Sequence, residues 1–243
     1  MHMSQLPVFL GLDVGKKRDR AAWVGVGPDF SDDAGGKLRP DFSDDAGDEL
    51  HHAAWVAVVP KRLGLADLPA WSVVVCEQAP VGTSYAAVAA RTQELARAFA
   101  AGNCPVLVAV DATGVGAAVV EDLRRNPGAA EILAVTSHAG NQVTGQWPDV
   151  GVPKKVLVGA LDEVMQRKAL AVRATLPAAD VLKAQLKAYV EKVKRGGRGG
   201  EGYVTYEAEH ERDHDDTVAA AQLGLYAGRH WFEVCRQMSP GRR

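Results

Sequence analysis

Much that would place a chain quickly is missing from this one. It has three cysteines, Cys76, Cys104 and Cys235, with no CxxC spacing. That argues against a disulfide framework or a zinc site and suits a reducing compartment. No apolar run is long enough to span a membrane, and the N-terminus lacks the apolar stretch of a secretory signal. No excess of positive charge is present either: 28 Lys and Arg against 30 Asp and Glu leave a formal net charge of -2. Any nucleic-acid partner therefore has to be held by a local patch. The pattern GxxxxGK[ST] does not occur, since Gly35-Gly36-Lys37 lacks both the upstream glycine and the Ser or Thr. What is there is ordinary: 243 residues, 47% hydrophobic and 24% charged, enough to bury the core of one α/β domain spanning 1–243. A soluble, cytoplasmic protein is expected. The opening Met1-His2-Met3 reads as an added start, so the chain reads as a piece of something longer.

The order of elements is legible from patterning. Pro7 to Val14 is an apolar run, and Ala21 to Val26 reads as its antiparallel hairpin partner. Pro-Asp-Phe-Ser-Asp-Asp-Ala-Gly then occurs twice, at Pro28 to Gly35 and at Pro40 to Gly47. Two acidic copies rich in turn formers predict an inserted loop over about 28–51 rather than a solenoid. The Asp spacing there does not fit an EF-hand. His52 to Val59, Ser72 to Glu77, Pro105 to Val110, Glu131 to Thr136 and Tyr203 to Ala208 read as strands. Tyr85 to Ala101, Ala117 to Arg125, Pro153 to Lys168, Ala178 to Val193 and a stretch from Asp216 to beyond Tyr226 read as helices. Antiparallel strands followed by alternating strands and helices predict a mixed sheet flanked by helices, the order of ribonuclease H-like folds. Each half of an actin-like ATPase has it more loosely.

Within that order, aspartates stand where a metal-dependent nuclease needs them. Asp13 lies in Gly11-Leu12-Asp13-Val14-Gly15, Asp111 in Val110-Asp111-Ala112-Thr113-Gly114-Val115-Gly116, and Asp215 and Asp216 open the last helix. Hydrolysing a phosphodiester needs charge neutralisation and an activated water, and two divalent cations about 4 Å apart supply both. Magnesium or manganese is expected rather than zinc, because the ligand set is oxygen-rich. Asp13 bridging the two ions, with Asp111 and one of Asp215 or Asp216 completing the cages, is the expected arrangement. Each residue also has a plainer reading. Asp13 could end a strand at a turn, and Asp215 or Asp216 could cap the helix. Asp111 is harder to explain that way, since an acid directly after five apolar residues costs stability unless it is paired or used.

Three of these segments come in the order and spacing of a known family. Val110 to Gly116, Val152-Pro153-Lys154-Lys155-Val156-Leu157 and His214-Asp215-Asp216-Thr217-Val218-Ala219 resemble the nuclease domain of phage terminase large subunits. Gly82-Thr83-Ser84-Tyr85 and the helix carrying Leu182 and Leu186 are similar to that family too. The resemblance covers most of the chain from Phe9 to Ala227 apart from the repeat loop. It implies a ribonuclease H-like fold and cleavage of double-stranded DNA during genome packaging, with metal held by acidic residues. Asp13 and Asp111 match the first and second acids, and Asp215 or Asp216 the third. It also implies a terminase ATPase motor, a small terminase subunit and a portal as partners, no membrane, and the host cytoplasm if the chain is phage-encoded. The missing GxxxxGK[ST] departs from a full large subunit, so the motor has been left out or the nuclease stands alone.

Phosphate contacts come mostly from Lys and Arg. Lys192, Lys194, Arg195 and Arg198 lie on a Gly-rich segment just before the last aspartates, where a solvated hairpin tip is the plainer reading. Lys16, Lys17, Arg18 and Arg20 follow Asp13. Lys154 and Lys155 start a helix whose backbone N–H groups can also meet a phosphate, or they are ordinary helix surface. A Holliday-junction resolvase or ribonuclease H shares this fold and acidic cage. An actin-like nucleotide binder is mimicked by Asp13-Val14-Gly15-Lys16 and Asp111-Ala112-Thr113-Gly114, though the chain is short for its two domains. An assembly module whose aspartates are only caps and turns is the third reading.

Overall fold

The computed structural model describes residues 7–15, 23–25, 52–60, 70–80, 82–194, 203–208 and 215–238. The acidic repeat over about 28–51 lies outside them, as do Lys16, Lys17, Arg18, Arg20, Arg195, Arg198 and His214. Among the described residues, a nine-stranded mixed sheet has β1 (Val8–Gly15) near its middle. On one side β3 (His52–Pro60) runs antiparallel to β1, and β4 (Trp71–Gln78) antiparallel to β3. On the other side β5 (Val106–Asp111), β6 (Ala130–His138) and β8 (Asp149–Pro153) add in parallel. The short β7 (Thr144–Gln146) closes that edge antiparallel to β8. Antiparallel strands feeding parallel ones, flanked by helices, is the ribonuclease H-like arrangement the sequence predicts.

The strand expected at Ala21 to Val26 is present as β2 (Trp23–Gly25) and lies antiparallel to β1, with Trp23 level with Leu12. Its described residues also pair with β4, and β3 makes the long ladder beside β1. One helix expectation is corrected. The helix expected over Ala178 to Val193 stops early: α4 is Ala179–Ala188, and Tyr189–Lys194 is a strand, β10, paired antiparallel with β11 (Tyr203–Ala208). Tyr189-Val190-Glu191-Lys192-Val193 has no proline or glycine to end a helix, but its alternation finds a matching strand, and cross-strand pairing overrides propensity. β7, β8 and β9 (Leu170–Val172, parallel to β4) are too short to read from the sequence, and Gly145, Gly151 and Pro153 interrupt the first two.

β5 is a continuous buried run, Val106 to Val110, as a strand covered on both faces requires. Helix α1 (Tyr85–Ala101) starts at Ser84, whose hydroxyl accepts from the Ala87 N–H at 3.2 Å. It packs on α2 (Gly116–Arg125), and both lie against β5 and β6. Arg91 of α1 is buried and donates to both carboxylate oxygens of Glu77 on β4, Nη2 to Oε1 at 2.9 Å and Nε to Oε2 at 3.2 Å. That ion pair ties α1 to the antiparallel half of the sheet. No helix among the described residues is long and apolar enough to cross a membrane.

The two faces of β1 do different things. Leu10, Leu12 and Val14 are buried on one, and Val14 lies near the start of α2. Phe9, Gly11 and Asp13 share the other, since alternate residues of a strand point the same way. That second face meets α5 (Asp216–Met238). Phe9 packs edge-on against Trp231, and tilted against Phe232, with ring centroids about 6 Å apart. At Gly11 the helix backbone touches the strand: a Cβ there would stand 2.0 Å from the Ala220 carbonyl oxygen and 2.8 Å from the Gly224 nitrogen. Gly11→Ala is therefore expected to lower stability by about 1–3 kcal/mol or more, by forcing helix and strand apart. Gly159→Ala, on α3 (Lys154–Gln166) with open space around its Cβ, is expected to add about 0.4–1 kcal/mol. Urea unfolding of both variants checks the pair, and equal effects would contradict the close seat.

Candidate functional site

The close seat of α5 sets what lies opposite Asp13. Going from Gly11 to Asp13 advances roughly 6.6 Å along the strand. From Ala220 back to Asp216 is four residues, roughly 6 Å along the helix. The helix runs antiparallel to the strand, so the two displacements match and the start of α5 arrives over Asp13. Asp216 is its first residue, buried at 5% exposure. Asp215 precedes it, and its carbonyl accepts from the Ala219 N–H at 2.8 Å, making it the capping residue of the helix.

Asp111 comes from the neighbouring strand. β1 and β5 are parallel, with Leu12 level with Val110, so Asp13 and Asp111 follow side by side. Asp111 is the last residue of β5, as expected. Asp13 is not a turn residue: it sits inside β1, paired with Ala54 of β3, and the strand continues to Gly15. A tight turn follows Asp111. The Thr113 N–H donates to Asp111 Oδ1 at 2.8 Å, and the Thr113 hydroxyl accepts from Ser137 N–H of β6 at 3.3 Å. Gly116 is required by this turn, since a Cβ there would meet the Asp111 carbonyl oxygen at 1.8 Å.

Asp13 feels the charge of the other three carboxylates. Burial pushes Asp13 well above the ordinary carboxylate range, and the charges of Asp111, Asp216 and Asp215 push it further, in that order. The charge of Lys154 acts the other way. Asp111 is also raised, by burial, against the hydrogen bonds from Thr113 and the pull of Lys154. Lys154 is the first residue of α3, directly after Pro153 ends β8. The sequence placed Pro153 at the first helical position, and the structure moves it one step earlier.

The basic residues divide. Lys154 faces the carboxylates, whereas Lys155 is exposed and donates from Nζ to Asn141 Oδ1 at 2.7 Å. Lys192 and Lys194 lie on β10, level with Thr205 and Tyr203 of β11. Two participants carry no signal of their own in the sequence: Thr113, which donates to Asp111, and Gln185 of α4, which accepts from the Thr217 N–H at 2.9 Å and from the Thr217 hydroxyl.

This donor set fits a hard divalent cation in its chemistry: carboxylate oxygens, crowded negative charge and one facing ammonium. Among the described residues, no three acidic, His or Cys side chains stand close enough together to ligate an ion as they are placed. The fit is therefore one of charge and donor type rather than of a preformed cage.

No protein-family model matches the sequence, and no curated protein does. Among solved structures, the chain is similar to the large terminase nuclease from thermophilic phage G20c with bound magnesium. Identity is 18% and the TM-score 0.47, over 86% of this chain and 82% of that one. The same phage nuclease with bound zinc is similar at 16% identity and TM-score 0.40, over 86% and 82%.

A raised carboxylate pKa favours the protonated folded state. The contribution of Asp13 to stability is therefore fully present below its unfolded value near 3.8 and is lost as pH rises through its folded value. In EDTA, Asp13→Asn is expected to melt above the wild type at pH 8 and to lose that advantage at pH 4. Thermal melts at both pH values check this, and an advantage independent of pH would contradict it.

Proposed function

We propose that this chain is a divalent-metal-dependent endonuclease acting on double-stranded DNA, as in phage genome packaging. The observation that carries the reading is the convergence of Asp13, Asp111, Asp215 and Asp216 from two strands and a helix start. Asp111, Asp216 and Asp215 each raise the cost of ionising Asp13, and the charge of Lys154 opposes them. Structural caps and turns do not need four carboxylates in mutual repulsion. Burying such charge without compensation costs stability, and perturbed groups of this kind cluster at functional sites.

Asp13, central to the four, would hold ions jointly with its neighbours, Asp111 on one side and Asp215 or Asp216 on the other. Magnesium or manganese suits these donors, and two ions bound there would neutralise charge developing on the scissile phosphate and acidify water. The chain supplies the rest. Thr113 and the Gly116 turn hold the Asp111 carboxylate at the end of β5, and the seat of α5 holds the third acid over the first. Lys154, beside the carboxylates, would draw a phosphate toward them. Lys155 at the same helix start, together with Lys192 and Lys194 of β10, would contact the flanking backbone. Lys16, Lys17, Arg195 and Arg198, outside the described residues, are proposed as further phosphate contacts.

Cleavage of supercoiled plasmid with Mn or Mg, against EDTA and the Asp111→Ala variant, tests this. Metal-dependent linearisation is expected, lost by at least ~100-fold in the variant, as for removal of a group stabilising transition-state charge. Equal cutting by the variant would contradict the assignment. Duplex, four-way junction and RNA–DNA hybrid substrates side by side separate this reading from a resolvase or a ribonuclease H.

A further inference from the structure

The first turn of any α-helix leaves backbone N–H groups without acceptors in the helix itself. In α5, the N–H of Thr217 finds its acceptor far away in sequence. Gln185, 32 residues earlier on α4, accepts from Thr217 N–H at 2.9 Å with its side-chain oxygen, and the Thr217 hydroxyl donates to the same oxygen. Thr217 is completely buried, and Gln185 is half-buried. Its own helix is anchored one turn earlier by Leu182, at 0% exposure. One oxygen thus receives both donors of the residue that directly follows Asp215 and Asp216. Those two bonds fix the helix start along its axis and in rotation about it.

The placement of Gln185 adds a second consequence. α4 ends at Ala188 and β10 begins at Tyr189 without a break. The chain then runs out along β10, returns along β11 and re-enters at Asp215. The clasp between Gln185 and Thr217 therefore closes the base of the whole excursion that carries Lys192 and Lys194.

We infer that Gln185 is a positioning residue for the Asp215 and Asp216 pair. Its amide oxygen holds the start of α5 so that those carboxylates stand against Asp13 and Asp111. The inference rests on the metal-site reading above. Groups that orient metal ligands from behind are worth roughly 10- to 100-fold in affinity or activity.

The test compares the wild type with Gln185→Met, which keeps length without an acceptor, and Gln185→Glu, which keeps the acceptor oxygen. Calorimetric titration with Mn well below each melting temperature is the primary readout. Plasmid cleavage, and DNA binding in EDTA, accompany it. Gln185→Met is expected to bind Mn roughly 10- to 100-fold more weakly and to lose cleavage in step. Its DNA binding in EDTA is expected to stay at the wild-type level, a pattern that simple loss of stability does not produce. Gln185→Glu is expected to bind Mn at least as well as the wild type. Should Gln185→Met not fold, Thr217→Val removes one of the two donors and is expected to weaken Mn binding by a smaller factor. Wild-type Mn affinity in the folded Met or Val variant would overturn the inference, as would equal weakening by Met and Glu. A flat titration of the wild type would instead overturn the metal-site reading itself, and this inference with it.

Discussion

The contact on which the rest of the site depends is the seat of α5 on β1. A helix normally rests on a sheet through side chains. Here the backbone of α5 reaches the strand at Gly11, because neither Gly11 nor Gly224 holds it off. The aromatic packing of Phe9 against Trp231 and Phe232 fixes one end of this contact. Matching rises along strand and helix then carry the register to the other end, where Asp216 meets Asp13. The same face of one strand thus runs from a hydrophobic anchor, through a close approach, to a carboxylate. Fold and site are joined by three residues at alternate positions.

What that seat brings together is costly. The charges of Asp111, Asp215 and Asp216 and burial together push Asp13 well above the ordinary carboxylate range, and Lys154 acts against that on both Asp13 and Asp111. The structure holds these carboxylates there through elements that cannot easily relax. Asp111 is tied by Thr113 to its own turn and through Thr113 to β6, while Asp215 and Asp216 are tied by the clasp of Gln185 on Thr217. Local conflict held in place by the surrounding fold is characteristic of functional sites. The arrangement also explains why parallel and antiparallel strands meet at β1: the parallel partner sets Asp111 beside Asp13, and the antiparallel partner pins Asp13 inside the strand.

Which parts of this were legible follows from which interactions are local. β5 was readable because five apolar residues in a row are what a doubly covered strand needs, and Asp111 stood out for ending it. Asp13 looked like a strand end. In fact Val14 and Gly15 go on pairing with Ala53 and His52 of β3, a contact across the sheet that a run of residues does not display. The end of α4 was missed for the same reason, since Tyr189 to Lys194 becomes a strand only because β11 is available. Lys154 and Lys155 are equivalent in sequence, yet one faces the carboxylates and the other hydrogen-bonds Asn141. Gln185 had no signal at all, because its partner lies 32 residues later in the chain.

The most direct test of the account is a crystal of the wild type grown with manganese and measured for anomalous scattering. The account predicts two peaks among the carboxylates of Asp13, Asp111 and the Asp215–Asp216 pair, with α5 still seated on Gly11. Peaks elsewhere on the chain, or none at these aspartates while manganese is in excess, would contradict it.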